Sequence, residues 1–316
     1  MSKKRLVTHN GSFHADDLFA AATLSLYLDK KGFDYEIVRT RDMEVIKNAD
    51  YVFDVGGIYD PNTNRFDHHQ KGRAGQRENG IYYSSFGLVW KNFGLELCDQ
   101  DNKIFELINK KIVLPIDAVD NGQDIYKPIY SGIYPYTAEV LFLSYSPTWT
   151  EDQNLIDQAF KDQVIKIKEV LKREIKVAKD DVLGTNILEQ AYQNAENKKI
   201  IILEQSLPRY LYQQVLSSYK EPVYLVYKSG HGDSWKVEAV GKGNGSLESR
   251  KPFPKSWSGL MNKDPNAKKI TGLSGIIFTH DSGFLANLDT KENAIKFAEK
   301  ALNYKEGFSF AKFFKL

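Results

Sequence analysis

A short apolar strand, Leu6-Val7-Thr8, stops at a histidine-bearing turn and passes straight into a helix, and few architectures other than a sheet wrapped by helices begin that way. The turn is His9-Asn10-Gly11-Ser12, and the helix covers Asp16 to Lys30, where Leu18, Ala21, Ala22, Leu26 and Leu28 recur at helical spacing. Short strands are predicted again over Tyr35 to Val38 and Tyr51 to Asp54, with a helical stretch near Asp42 to Asn48 between them and Gly56-Gly57 closing the second. This alternation predicts an α/β fold with a mostly parallel sheet. In such sheets ligands bind beyond the carboxyl ends of the strands, where His9 and Asp54 fall.

Further along, Lys71 to Gly80 is polar and reads as a mobile loop that could act as a lid, and Phe86 to Phe93 and Lys103 to Lys111 read as helices. The apolar run Ile112 to Ile116 is predicted to be a strand that ends in the acidic loop Asp117 to Gly122. Glu151 to Ala195 is charged and helical, with Ile156, Phe160, Val164, Ile167, Val170, Leu171 and Ile175 on one stripe, and Gly184 is expected to break it into two helices. Strands follow at Lys199 to Leu203, Val223 to Tyr227, Trp235 to Val240 and Ile276 to Thr279, with a long loop over Gly241 to Lys255. A chain of 316 residues exceeds the usual size of one core, so the reading is a catalytic domain over 1–150, a helical connection over 151–198 and a smaller α/β domain over 199–316.

Composition narrows the function classes. With 43 Lys plus Arg against 41 Asp plus Glu, net charge gives no reason for sequence-blind nucleic-acid binding, so phosphate recognition has to be local. The single Cys98 excludes an internal disulfide and a cysteine-based zinc cluster and reads as a small buried apolar residue. No apolar run reaches the roughly 18 residues of a membrane helix. The start Met-Ser-Lys-Lys-Arg has no signal-peptide core, so the expected location is the cytoplasm, with a homo-oligomer left open.

Any metal must therefore be held by His and carboxylate. Four of the six histidines lie in the first 69 residues. His9 and His14 flank the first turn with Asp16 and Asp17 close behind, Asp54 ends a strand, Asp67-His68-His69 follows the turn at Asp60-Pro61-Asn62, and Asp117 and Asp120 form a further acidic pair. Each piece alone has an ordinary explanation: Asp16 as a helix N-cap, Asp120-Asn121-Gly122 as a turn, a single histidine as a hydrogen-bonded turn residue. Four pieces arriving in one domain outweigh those readings. Imidazole and carboxylate without thiolate suit Mn²⁺, Mg²⁺, Co²⁺, Fe²⁺ or Zn²⁺, and the number of ligands suits two ions, with Asp54 or Asp67 as the bridge.

The motifs Thr8-His9-Asn10-Gly11-Ser12-Phe13-His14-Ala15-Asp16-Asp17, Asp54-Val55-Gly56-Gly57-Ile58-Tyr59-Asp60 and Arg65-Phe66-Asp67-His68-His69-Gln70 resemble the Myg family, relatives of the DHH phosphoesterase superfamily. The similarity continues at Ile116 to Gly122, from Ser249-Arg250 to Leu260, and at Phe278 to Phe284. It implies a DHH-phosphoesterase-like fold and a metal-dependent phosphodiesterase or 3′-to-5′ RNA exonuclease, Mn²⁺ being the favoured ion. Carried over by motif, His9, His14, Asp16, Asp54, Asp67, His68, His69 and Asp120 become metal ligands, with Asp67, His68 and His280 in catalytic roles. Arg250, Lys251, His280, Ser282 and Gly283 are the expected substrate contacts, Arg250 for its planar fork. The sequence departs from the family at Asp17, where Glu is usual, and at Leu285-Ala286-Asn287, where Ile-Gly-Gly is usual and would bring backbone closer to substrate. Trp235, Trp257 and Tyr224 are read as core rather than base-stacking residues, and His231 as a hairpin tip. Rival readings are a phosphomonoesterase or pyrophosphatase on a small nucleotide, and a nucleic-acid or metal-binding module without turnover.

Overall fold

The computed structural model describes residues 3–261, 264 and 266–305. Residues 306–316 of the predicted second domain, and Met1 and Ser2 of the predicted start, lie outside the described residues. Two compact units divide the chain, Met1–Asp180 and Asp181–Leu316.

The first unit contains β1 (Lys4–Thr8), α1 (Ala15–Lys31), β2 (Tyr35–Arg39), α2 (Met43–Lys47), β3 (Tyr51–Phe53), β4 (Tyr59–Asp60), β5 (Arg65–Phe66), α3 (Ser85–Leu97), α4 (Asn102–Ile108), α5 (Leu114–Asp120), α6 (Ala138–Leu143) and the start of α7 (Ile156–Asn194). Its sheet runs β2-β1-β3-β5-β4, parallel throughout except for β4. Leu6 and Val7, on opposite faces of β1, are both fully buried, as expected for a parallel strand covered on both sides. α1 is buried nearly all round, and Phe19 meets Phe86 of α3 and Phe142 of α6 with ring centroids 5.2 and 5.7 Å apart.

Three local expectations fail for physical reasons. Ile112 to Ile116 is not a strand: α4 continues through the π-turn segment Asn109–Val113 into α5. A short apolar run has no period that separates strand from buried helix, and Ile108, Val113, Ile116 and Ala118 are buried here as a helical face. Pro115 has no N–H for the turn before it and its ring would crowd the carbonyl four residues back in a regular α-helix, which suits the widened segment Asn109–Val113 that precedes it. The Lys71 to Gly80 loop is fastened rather than free, because Arg77 donates to Asp117 Oδ2 at 2.5 Å and Arg73 to Asn121 Oδ1 at 3.0 Å. Finally, α7 is one helix with no break at Gly184. A Cβ there would meet Leu211 Cδ1 at 2.6 Å, so this glycine, which costs about 1 kcal/mol in a helix, makes room for a neighbouring side chain.

The second unit comprises the end of α7, β6 (Ile200–Leu203), α8 (Arg209–Ser218), β7 (Tyr224–Lys228), β8 (Trp235–Ala239), α9 (Ala267–Thr271), β9 (Ile276–Thr279), β10 (Leu285–Leu288) and α10 (Lys291–Asn303). Its sheet runs β6-β7-β8-β10-β9, parallel only between β6 and β7. β7 alternates between two cores: Tyr224 and Val226 pack with Phe297 of α10, Leu225 and Tyr227 with Leu211 and Val215 of α8. Tyr224, Trp235 and Trp257 are buried in the first of these. The Leu285-Ala286-Asn287 departure lies in β10, between β8 and β9, with Ala286 fully buried. No helix among the described residues is long and apolar enough to cross a membrane.

Candidate metal centre

The four parallel strands of the first unit bring their carboxyl ends to one edge. In sheet order, Arg41 follows β2, His9 follows β1, Asp54 follows β3, and Asp67-His68-His69 follows β5. The first turn of α1 adds Asp16 and Asp17, with His14 just before it, and the last turn of α5 adds Asp120. Asp120 thus comes from a helix and not from a loop after a strand. Gly11, at φ +88°, reverses the chain after His9, and fully buried Phe13 anchors that turn. The His14 N–H donates to Asp17 Oδ1 at 3.0 Å, closing the helix start. Asp54 sits in the left-handed region at φ +54°. For a non-glycine residue that costs roughly 1–2 kcal/mol, a strain typical of positions where side-chain aim matters.

Asp54 joins two groups. Its Oδ2 lies 3.1 Å from His9 Nε2, while its Oδ1 lies 3.3 Å from His68 Nε2 and 3.4 Å from His69 Nδ1. Asp17 Oδ2 is 3.3 Å from His9 Nε2, and His68 Nε2 is 3.3 Å from Asp120 Oδ2 and 3.8 Å from Asp16 Oδ2. Three sets can each aim three ligand atoms at one point: His9, Asp17 and Asp54; Asp54, His68 and His69; His14, Asp16 and Asp120. His9 Nδ1 lies 3.1 Å from the Asn10 carbonyl, which can only accept from a ring hydrogen on Nδ1, so Nε2 is the ring atom turned toward the carboxylates of Asp17 and Asp54.

Whether a cation fits is answered by the atoms left over. Both carboxylate oxygens of Asp16, Oδ2 of Asp17, Oδ2 of Asp120 and Nε2 of His68 are buried with no hydrogen-bond partner. Buried polar atoms are normally bonded, and an unpaired buried carboxylate costs several kcal/mol, so the gathering of these atoms within the three sets fits divalent cations. The acidities show the same frustration. Burial, followed by the charges of Asp54 and Asp120, pushes Asp16 well above the usual carboxylate range. Burial and Asp54 push Asp17 up to about 8. Burial also raises Asp120. In Asp54 burial pushes the same way, but the neighbouring imidazoles of His68 and His9 outweigh it and hold the carboxyl far below its usual range.

Protein donors occupy Asp67, expected as a ligand, and Asp117, which the sequence left open as one. Asp67 belongs to none of the three sets: its Oδ1 accepts from the His69 N–H at 3.1 Å and lies 2.8 Å from His69 Nδ1, while its Oδ2 accepts from the Gly57 N–H at 2.5 Å. It holds His69 at Nδ1, the nitrogen that also lies 3.4 Å from Asp54 Oδ1, and raises that imidazole to about 8. Asp117 is filled by protein donors, Arg77 on one oxygen and the Ser84 N–H and hydroxyl on the other, at 3.1 and 2.7 Å. Asp17, where the family usually has Glu and which the sequence left open as a ligand, caps the helix with one oxygen and faces His9 with the other. Ser85, which donates to Asp54 Oδ1 at 3.1 Å, and Arg41 carried no signal in the sequence.

In the second unit, Arg250 and Lys251 do not present their charges outward as expected. Arg250 donates to the carbonyls of Pro222 and Ser217, both at 2.8 Å, and of Tyr219 at 2.5 Å; Lys251 donates to the carbonyl of Leu302 at 2.6 Å. Both fasten the long loop. His280, Ser282 and Gly283 form a turn after β9, where the Ser282 N–H and hydroxyl lie 3.2 and 2.8 Å from His280 Nδ1, leaving Nε2 to point away from the turn. Gly283 is required by φ +68° and by the Phe253 backbone, which a Cβ would meet at 3.2 Å. His231 lies in the β7–β8 hairpin tip, closed by the Ser229 N–H on the Ser234 carbonyl at 2.8 Å.

Fold and site together define an α/β protein whose parallel-sheet edge gathers a His and Asp cluster suited to divalent cations. The MYG1_exonuc family model, described as "Uncharacterised protein family (UPF0160)", matches residues 5–302, and the chain belongs to this MYG1 family. It is 31% identical over 325 residues to the MYG1 protein of Dictyostelium discoideum, covering 96% of this chain and 98% of the relative. Identity is also 31% to the MYG1 exonuclease of Homo sapiens over 336 residues, 96% of this chain and 86% of the relative. Among solved structures, exonuclease RecJ bound to manganese aligns over 96% of this chain and 91% of that one at 13% identity and a TM-score of 0.28, too low to bear on the assignment.

Proposed function

We propose that this chain is a metal-dependent phosphodiesterase that shortens RNA from its 3′ end, using a pair of divalent ions, with Mn²⁺ preferred. One observation carries the reading: the two oxygens of the strained Asp54 face different histidines, His9 on one side and His68 on the other, each backed by buried carboxylates that lack partners. The three ligand sets contain four carboxylates, Asp16, Asp17, Asp54 and Asp120, whose charge two divalent ions would balance. His9, Asp17 and Asp54 would hold one ion; Asp54, His68, Asp16 and Asp120 the other, with His14 and His69 at the margins. Ions held there supply a nucleophilic oxygen at neutral pH and neutralise charge on the phosphate.

The protein's own part is orientation. The Asn10 carbonyl fixes His9, Asp67 fixes His69, and Ser85 holds Asp54. His9, His14, Asp54, Asp67 and His69 line a cavity of about 640 Å³, open to solvent and within the size range of small-molecule sites. The His280-Ser282-Gly283 turn is assigned to substrate binding, with Nε2 of His280 as its hydrogen-bonding atom. The names of the mammalian relatives support nuclease activity, and the choice of RNA and of 3′-to-5′ polarity follows the family resemblance.

The test is cleavage of a 5′-labelled short RNA and of a dinucleotide with added Mn²⁺, by wild-type protein and Asp54→Ala. A ladder of shortened, still labelled RNA that disappears in the variant is the expected result. Cleavage of the dinucleotide alone would replace the exonuclease reading with a small-nucleotide enzyme, and metal uptake without cleavage of either would replace it with a binding module.

A further inference from the structure

We infer that Arg41 is the residue through which the metal unit grips a substrate phosphate. The inference rests on the phosphodiesterase reading above and supplies what that reading lacks, a positive donor beside the metal ligands. The β1–β2 ladder pairs Thr8 with Arg39 and continues with the Thr40 N–H on the Thr8 carbonyl at 2.8 Å. Arg41 therefore leaves β2 beside the point where His9 leaves β1. It lines the same cavity as His9, His14, Asp54, Asp67 and His69, and it is the one Lys or Arg in that lining.

The backbone beneath it is fixed. The Asp42 N–H donates to Thr40 Oγ1 at 3.1 Å, and Asp42 in turn accepts from the Glu44 N–H at 2.9 Å as the cap of α2. The side chain is uncommitted: among the described residues Arg41 makes no hydrogen bond or ion pair. Every neighbouring arginine is committed. Arg39 reaches Asp157 and the Gly11 carbonyl at 2.7 and 2.6 Å, Arg65 the Lys47 and Ala49 carbonyls at 3.1 and 3.0 Å, Arg73 Asn121, and Arg77 Asp117. The lining otherwise consists of imidazoles, which the phosphodiesterase reading commits to metal ions, together with carboxylates and small or amide residues, so that Arg41 is the one side chain there with a permanent positive charge for a phosphate oxygen that is not on a metal. A guanidinium fork can take two such oxygens at once, which an ammonium cannot. With Arg250 and Lys251 spent on carbonyls, the cation expected of the second unit is found in the first.

The experiment compares binding of adenosine 5′-monophosphate and of adenosine to wild-type protein, Arg41→Ala and Arg41→Lys by calorimetry, alongside metal content and the kinetics of RNA cleavage. Arg41→Ala is expected to lose about tenfold or more in affinity for the monophosphate, the effect of one charge-assisted contact, and to leave adenosine binding and metal content unchanged. KM for RNA should rise, and Arg41→Lys should recover only part of the loss. Equal monophosphate affinity in wild type and Arg41→Ala overturns the inference, as does a wild type that does not distinguish the monophosphate from adenosine. Failure of the phosphodiesterase reading looks different: the wild-type protein itself would take up no metal and cleave nothing.

Discussion

Asp16 in the first unit and Glu238 in the second are both buried carboxylates, and the protein treats them in opposite ways. Glu238, on β8, accepts from Arg209 Nε at 2.6 Å, Gln213 Nε2 at 3.2 Å and the Tyr227 hydroxyl at 3.3 Å. Asp16 has no partner for either oxygen, and the groups around it, Asp54, Asp120 and Asp17, are further carboxyls that disfavour its ionisation. Breaking a network such as that of Glu238 costs stability. The arrangement around Asp16 already lacks such stability and is worth keeping only for something that binds there. Local rules of good folding are obeyed around Glu238 and broken around Asp16, which is how a functional site differs from a structural one.

The largest effect expected from breaking that contrast is on activity. Asp54→Ala removes a ligand from two of the three sets and should lower the cleavage rate by more than about 100-fold, whereas Asp67→Ala, which acts through His69, should stay within the roughly 10- to 100-fold typical of a residue behind the ligands. Initial rates on one short RNA with Mn²⁺ compare the two, and a smaller loss in Asp54→Ala than in Asp67→Ala contradicts the assignment of the bridge.

Next is stability in metal-stripped protein. Asp16→Asn should raise the melting temperature, by about 2–4 °C for each kcal/mol of relieved frustration, while Glu238→Gln should lower it by about 1–3 kcal/mol of broken hydrogen bonding. Added Mn²⁺ should stabilise the wild type and do much less for Asp16→Asn. Melting curves with chelator and with Mn²⁺ measure all four, and a shift of the same sign in both chelated variants would erase the contrast.

A smaller effect is the pH dependence of the chelated protein. Asp17 is raised to about 8 by burial and Asp54, so the folded state holds a proton that the unfolded state releases. Its contribution is full below the ordinary carboxylate range and is lost as pH rises through about 8, so stability should fall over that window. Urea midpoints should decline with pH in the wild type and less steeply in Asp17→Asn; equal slopes contradict the proton assignment.

Much of this site was legible because its parts sit where strands end. His9 and Asp54 follow runs whose apolar character identifies them as strands, so chain position alone puts them at the binding edge. Asp120 was legible by residue type although its element was misread, since the Ile112 to Ile116 run suits a strand and a buried helix equally well. The residues misjudged or left open are those whose role is set by long-range partners. Nothing local shows that Arg77 fills Asp117, that Arg250 turns toward three carbonyls, or that Leu211 fills the space beside Gly184. β10 also escaped notice, because four residues with a polar Asn287 among them carry little alternation.

The smallest expected effect concerns Cys98, which is fully buried and whose thiol burial pushes up to about 12. A reagent that modifies thiolates should leave the native protein unlabelled at pH 8 and label it once unfolded; rapid native labelling would show that this residue is not part of the packed interior.

The most direct test of the central claim is metal content. Wild-type protein and Asp54→Ala, purified without chelator, equilibrated with Mn²⁺ and desalted, would be measured by elemental mass spectrometry. Two equivalents in the wild type and a loss of one or both in the variant are what the geometry around Asp54 predicts. A wild type that retains no metal, or an Asp54→Ala protein that retains both equivalents, would contradict it.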